Sequence, residues 1–168
     1  MTWVPAPDGS RDLDRLFQLR PEHGASFRLL YDAIWRETKV DPVLLELCRL
    51  RIAQLLRCEA ELAVRQVAAR QAGLSEEKIA SLSRYPDSPL YSERERACLA
   101  YAEQLVADHL GLTDEEVAAV KAHLTDGEFV GLTIAVIYFE AFARFCLVLG
   151  VAPVAEVRAG LQPVAGRH

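Results

Sequence analysis

Glu46, Cys58, Glu61 and Arg65 stand inside a strongly apolar stretch, LLELCRLRIAQLLRCEAELAVRQ, running from Leu44 to Gln66. Stretches of this kind build buried helix, where a polar group costs free energy unless it is paired or used. Each of these residue types brings a chemistry. A cysteine thiolate is a nucleophile, a glutamate carries protons, and an arginine fork binds a carboxylate or a similar anion. Together they suit proton transfer on a small carboxylic acid or lactone, giving isomerisation, hydration or decarboxylation. The plain alternative is that Glu61 and Arg65, four residues apart, satisfy each other as an ion pair, while Cys58 is only a small residue lining a pocket.

Spacings of three and four put Cys58, Glu61 and Arg65 on one helical face. Glu46 does not follow from spacing alone. In one straight helix ending at Ala72 it would lie about 18 Å from Cys58 along the axis, at 1.5 Å per residue. It joins the group only if the chain turns back near Arg57, where no glycine or proline marks a break. A second charged pair, Glu140 and Arg144, interrupts the apolar run FVGLTIAVIYFEAFARFCLVLGV. A membrane-spanning helix seldom carries two charges near its middle. The run therefore reads as a central core helix, with the pair buried in a subunit interface or a cavity as an internal or intersubunit salt bridge, or lining a substrate site.

The hydrophobic period is helical throughout, with no strand alternation and no hairpin signal. The expected fold is all-α, one domain over 1–168, with a loose arm at 1–10 and a tail at 152–168 that has room for one more short helix. Asp41-Pro42 starts the central region as an N-cap followed by proline at the first helical position, and Gly73 closes it. Ser75 caps the next short helix. Ser92 with Glu95, Thr113 with Glu116 and Thr125 with Glu128 each form a capping box before an apolar-periodic run. Tyr31 and Trp35 fall on an early amphipathic helix, as core residues or a lid.

The formal net charge of −5 argues for solubility and against a nucleic-acid footprint, which needs a basic face. The N-terminal residues MTWVPAPDGS lack the basic start and apolar run of a signal peptide. The four cysteines, Cys48, Cys58, Cys98 and Cys146, lie among apolar residues with no Cys-x-x-Cys spacing. They read as reduced thiols of a cytoplasmic protein, with Cys48, Cys98 and Cys146 as core residues. No histidine stands in a metal-binding pattern, so neither metal nor organic cofactor is expected.

The order of elements carries a resemblance. ELCRLRIAQLLRCEAELAVRQVAARQAGLSEEKI, then SPLYSERERACLAYAEQL, then LTDEEVAAVKAHLTDGEFVGLTIAVIYFEAFARFCLVLGV, together resemble the carboxymuconolactone decarboxylase-like superfamily over roughly residues 42–151. The branch most similar is the alkylhydroperoxidase D-like one. In that family an acidic residue precedes a Cys-x-x-Cys-x-x-x-His motif at the separation seen between Glu46 and Cys58. The resemblance implies an alkylhydroperoxidase D-like helical bundle, assembled as a homotrimer or homohexamer. It also implies that one helix ends before Cys58 and another begins there, where amide groups and the helix dipole favour thiolate. Glu61 replaces the family's second cysteine and Arg65 its histidine. A Cys-x-x-Cys dithiol cycle is therefore not expected, and Arg65 stays protonated and cannot serve as a base near neutral pH.

Three functions remain. The first is a cofactor-free proton-transfer enzyme using Glu46, with Cys58 and Glu61 beside it and Arg65, Glu140 and Arg144 binding a small carboxylate or lactone. The second is a thiol peroxidase with Cys58 as its single cysteine, reduced by an outside thiol. The third is a non-catalytic, oligomeric binding module. The first leads narrowly, because an apolar residue would pack more cheaply at Glu46.

Overall fold

The computed structural model describes residues 12–153 and 161–163. The expected arm at 1–10 and most of the tail lie outside these residues. Helices α1 (Leu13–Phe17) and α2 (Pro21–Glu37) lead into α3 (Pro42–Leu56). Asp41 accepts from the amides of Val43 and Leu44 and so caps α3, as Asp-Pro predicts. Every residue from Leu44 to Leu50 is buried. The core therefore surrounds this part of α3, and any polar side chain there must find its partners inside the protein.

The chain next makes a run of short pieces: α4 (Glu59–Leu62), β1 (Val64–Gln66), α5 (Val67–Gln71) and α6 (Glu76–Ala80). The single long helix considered for Leu44 to Ala72 is not formed. Gly73 has a positive φ of 98° after α5, the left-handed stop expected of it. Helices α7 (Glu93–Asp108), α8 (Asp114–Lys121) and α9 (Asp126–Leu149) complete the bundle. Each opens on a full capping box, formed by Ser92 and Glu95, Thr113 and Glu116, and Thr125 and Glu128. Ser92→Ala is expected to lower stability by about 1 kcal/mol, read as a lower midpoint in urea with an unchanged slope.

Helix α9 lies along α3, and α7 covers a second side of α3. Leu132, Ala135, Val136, Phe139, Phe142 and Ala143 make its core face. Phe17 and Phe27 join the α9 rings of Tyr138, Phe142 and Phe145 in one aromatic cluster, with Phe27 and Tyr138 centroids 4.8 Å apart. Gly131 is needed where α9 meets the turn after α2, since a Cβ there would lie 3.1 Å from the Thr38 carbonyl oxygen. Helix α9 is long and apolar enough to cross a membrane, yet nearly half of its most apolar window is buried in the bundle. The opposite face carries Val130, Ile134, Ile137 and Val148, each at least 46% exposed.

Two expectations about secondary structure need correction. A strand exists: β1 pairs antiparallel with β2 (Leu161–Pro163), Arg65 opposite Gln162. Three-residue strands are too short for a period of two to show in sequence. Within the tail, moreover, the described segment Leu161–Pro163 is this strand and not a helix.

Candidate active site

The turn that ends α3 ahead of Cys58 is built at Arg57. Its backbone is left-handed, φ 57° and ψ 42°. The Arg57 amide donates to the Gln54 carbonyl at 3.2 Å, and the Cys58 amide to the Ala53 carbonyl at 2.9 Å. These two bonds are the Schellman closure of a helix C-terminus, a place where glycine usually stands. A side chain in this conformation costs on the order of 1 kcal/mol. Backbone strain of this kind recurs beside functional groups. Cys58 then becomes the N-cap of α4, the position that the family resemblance implies.

Cys58 is 1% exposed. The Cys146 thiol, from α9, hydrogen-bonds its sulfur, and that contact is the largest influence drawing its pKa below the usual thiol value. Burial and the nearby Glu61 charge oppose the shift, whereas the Glu61 and Ala60 amides at the start of α4 favour it; the Glu61 amide itself donates to the Cys58 carbonyl at 3.1 Å. The net direction is downward. Cys48 and Cys98 form a contrasting pair between α3 and α7. Burial pushes Cys98 up to about 11 and Cys48 well above its ordinary value. Only thiolate is strongly nucleophilic, so Cys58 is set apart from these two.

Beside this turn lies a buried ionic network centred on Arg49. Its Nε and Nη2 donate to the two Glu46 oxygens at 2.7 Å each. Nη1 donates to Glu61 Oε2 and to the Glu61 carbonyl, both at 2.9 Å, and Nη2 also reaches the Val64 carbonyl at 3.0 Å. Burial works against the guanidinium charge, but Glu46 and Glu61 outweigh it and hold the Arg49 pKa above its ordinary value. Glu46, which is fully buried, accepts in addition from the Gln66 amide at 3.0 Å. The Gln66 side chain donates to the Tyr31 hydroxyl at 3.0 Å. Burial, above all, raises the Tyr31 pKa, and Glu61 and Glu46 add to it against Arg49, so the phenol keeps its proton. Arg49 thus pins α4 and β1 onto α3, which fixes the amides that face Cys58.

The structure joins Glu46 to Glu61 through Arg49, sets Glu61 beside Cys58, and sends Arg65, Glu140 and Arg144 elsewhere. Arg65 does not pair with Glu61. It reaches both Glu76 carboxylate oxygens at 3.3 Å and the carbonyls of Leu62 and Val64 at 2.8 and 2.9 Å. The strand at Val64–Gln66 breaks the helical spacing that would have set Arg65 four positions after Glu61 on one face. Glu140 and Arg144 do pair, at 2.8 Å, but not in the interior: Arg144 is 56% exposed. The core face of α9 is made by other positions, so this pair turns away from α3 and from Glu46. A cleft of about 260 Å³ lies at the start of α3 and α7, lined by Asp41, Val43, Leu44, Ser92, Arg94 and Glu95. None of Glu46, Cys58, Glu61 and Arg65 lines it.

Arg49, Gln66 and Cys146 complete the site, and sequence reasoning did not select them. Arg49 stands three residues after Glu46, a spacing that does signal a helical ion pair. Its contacts to Glu61 and Val64 have no sequence signal.

An all-α bundle of the alkylhydroperoxidase D type, with a thiol at a helix N-terminus beside a buried acidic residue, defines a class of protein. The pattern of the Carboxymuconolactone decarboxylase family matches residues 21–104, and the chain belongs to that family. Two uncharacterized proteins of Mycobacterium tuberculosis, one from each of two strains, are 32% identical to it over 134 residues, 78% of this chain. The chain spans 44% of the length of these relatives. Among solved structures, one similar fold is a protein of unknown function from Agrobacterium tumefaciens, suggested to be the antioxidant defence protein AhpD. It has a TM-score of 0.74 and 23% identity, over 84% of this chain and 97% of that one. Another is an uncharacterized peroxidase-related protein from Silicibacter, TM-score 0.72, 16% identical, over 84% of this chain and 75% of that one. A third is the debrominase Bmp8 with a cysteine-to-alanine substitution, bound to 2,3,4-tribromopyrrole, with TM-score 0.72, 13% identity and the same coverage. At these identities the three likenesses concern the fold.

Proposed function

We propose that this family member is a thiol peroxidase whose nucleophile is Cys58. The observation that carries the reading is the setting of the Cys58 sulfur, which is buried at the start of α4 beside the amides of that turn and in hydrogen-bonding contact with the Cys146 thiol. The Cys58 sulfur attacks the distal oxygen of a hydroperoxide, and the O–O bond breaks. Cys58 becomes a sulfenic acid, and the alkoxide or hydroxide that leaves takes up a proton to form an alcohol or water. A first thiol then attacks the Cys58 sulfur and forms a disulfide with loss of water, and a second thiol breaks that disulfide and returns Cys58 to its reduced state. Burial of the sulfur restricts the substrate to small hydroperoxides.

This ordering reverses the one favoured by sequence. Proton transfer on a carboxylate would use Glu46 as the moving-proton group and Arg65 as the anion binder. Arg49 holds both Glu46 oxygens, and Arg65 is spent on Glu76 and on backbone carbonyls. Glu46 then serves as a positioning residue for the Arg49 network. A cytoplasmic setting, which keeps thiols reduced, belongs to the same reading. So does assembly as a homotrimer or homohexamer, with second copies of this chain covering the exposed apolar face of α9. Ile137→Lys should lower the mass measured by light scattering; a wild-type monomer would remove the assembly.

The pH dependence tests the catalytic reading. The Cys58 pKa lies below the usual thiol value of 9.0. The rate of peroxide consumption at fixed concentration should rise with pH and level off before that value, as thiolate replaces thiol. Cys146→Ala removes the largest favourable contact, so its inflection should move to higher pH. An inflection at or above 9 in the wild type would contradict the assignment.

A further inference from the structure

The peroxidase reading leaves open which thiol attacks the oxidised Cys58, and the fold places one against it. Cys58 ends the turn after α3, and Cys146 lies one turn before the end of α9. Helices α4 and α9 pack against each other, which brings the two side chains into hydrogen-bonding contact, and the two residues are 1% and 2% exposed. Glu61 occupies the place three residues after Cys58, so no local thiol can reach the sulfur from α4. A sulfenic acid buried at this depth meets the Cys146 sulfur before any thiol from solvent.

We propose that Cys146 is the resolving cysteine, and that Cys58 and Cys146 form a peroxide-oxidised dithiol between α4 and α9. The inference rests on the peroxidase reading. In the first step Cys58 is oxidised by two electrons to the sulfenic acid, and the hydroperoxide is reduced to its alcohol, or hydrogen peroxide to water. In the second, the Cys146 thiol gives up its proton and its sulfur attacks the Cys58 sulfur. The S–O bond breaks, and the departing hydroxide takes that proton to leave as water. Two thiols and one hydroperoxide thus yield a disulfide, an alcohol and water. An external dithiol restores both cysteines through exchange.

Cys48 and Cys98 supply an internal control. They are equally buried and near each other, but burial keeps both thiols protonated. Thiolate character, not mere proximity of two sulfurs, selects the pair that oxidises.

The test treats the full chain with one equivalent of hydrogen peroxide, blocks remaining thiols with a maleimide in acid, and maps cysteine peptides by mass spectrometry. The expected product is a Cys58–Cys146 cross-linked peptide, with two of the four thiols lost and Cys48 and Cys98 blocked as free thiols. Cys146→Ser should give no cross-link and should accumulate Cys58 sulfenic acid that dimedone traps. Cys146→Ala repeats the test with a different packing volume, and circular dichroism checks that each variant is folded. If wild-type Cys58 is oxidised but is trapped by dimedone as fully as in the variants, Cys146 is not the resolving thiol and the peroxidase reading stands. If Cys58 escapes oxidation in every variant, the peroxidase reading itself fails.

Discussion

Arg49→Met should lower stability by about 3–5 kcal/mol, the cost of removing one partner from a buried ion pair. For a chain of this size that corresponds to a fall in Tm on the order of 10 °C. The substitution leaves Glu46 and Glu61 buried without the guanidinium that now bridges them. It also strips a donor from the carbonyls of Glu61 and Val64, and a buried backbone acceptor without a partner carries its own penalty. Arg144→Met is the matching control. Its pair with Glu140 faces solvent, and exposed pairs contribute at most about 1 kcal/mol. Equal losses from the two variants would show that the interior network is not what holds the turn together. Replacing Glu46, Arg49 and Glu61 together by Leu, Met and Leu should recover only part of the loss, because the bond from the Gln66 amide to Glu46 goes with them.

Cys58→Ser should reduce peroxide consumption to the background rate of the added dithiol. Serine is close in size to cysteine and favoured at a helix N-cap, so the start of α4 should hold while the reacting sulfur is gone. Fold and stability should therefore change little, which separates loss of chemistry from loss of structure. Wild-type protein should consume hydrogen peroxide much faster than cumene hydroperoxide, because a sulfur at 1% exposure admits only a small oxidant. A Cys58→Ser variant that still consumes hydrogen peroxide at the wild-type rate would remove the thiol from the mechanism. In that event the Glu46 proton-transfer reading returns, and Glu46→Gln with small carboxylates becomes the experiment to run.

What the sequence made readable was local. A serine or threonine followed three residues later by glutamate encodes its cap within one turn, and Ser92, Thr113 and Thr125 all cap as their spacing predicts. The helix break before Cys58 was not readable from residue types, because the left-handed position that glycine normally marks is held by Arg57. Only the resemblance to a family placed it. The role of Arg49 was hidden for a different reason. Its spacing from Glu46 announces one ion pair, but its other partners lie twelve and fifteen residues onward, across a turn whose geometry no local pattern specifies. Arg65 illustrates the converse error. Four residues after Glu61 is a neighbour only in continuous helix, and β1 intervenes. Cys146 read as core, and it is buried. That its thiol meets Cys58 depends on α9 crossing α4, which is a property of the assembled bundle.

The central claim is that the fold singles out one cysteine by its chemistry although all four are buried. Competitive labelling of the native protein at neutral pH with a small thiol-directed reagent, resolved by peptide mass spectrometry over time, measures this directly. Cys58 should be labelled first, with Cys48 and Cys98 unlabelled until the protein is unfolded. Labelling of Cys48 or Cys98 as fast as Cys58 would contradict the account.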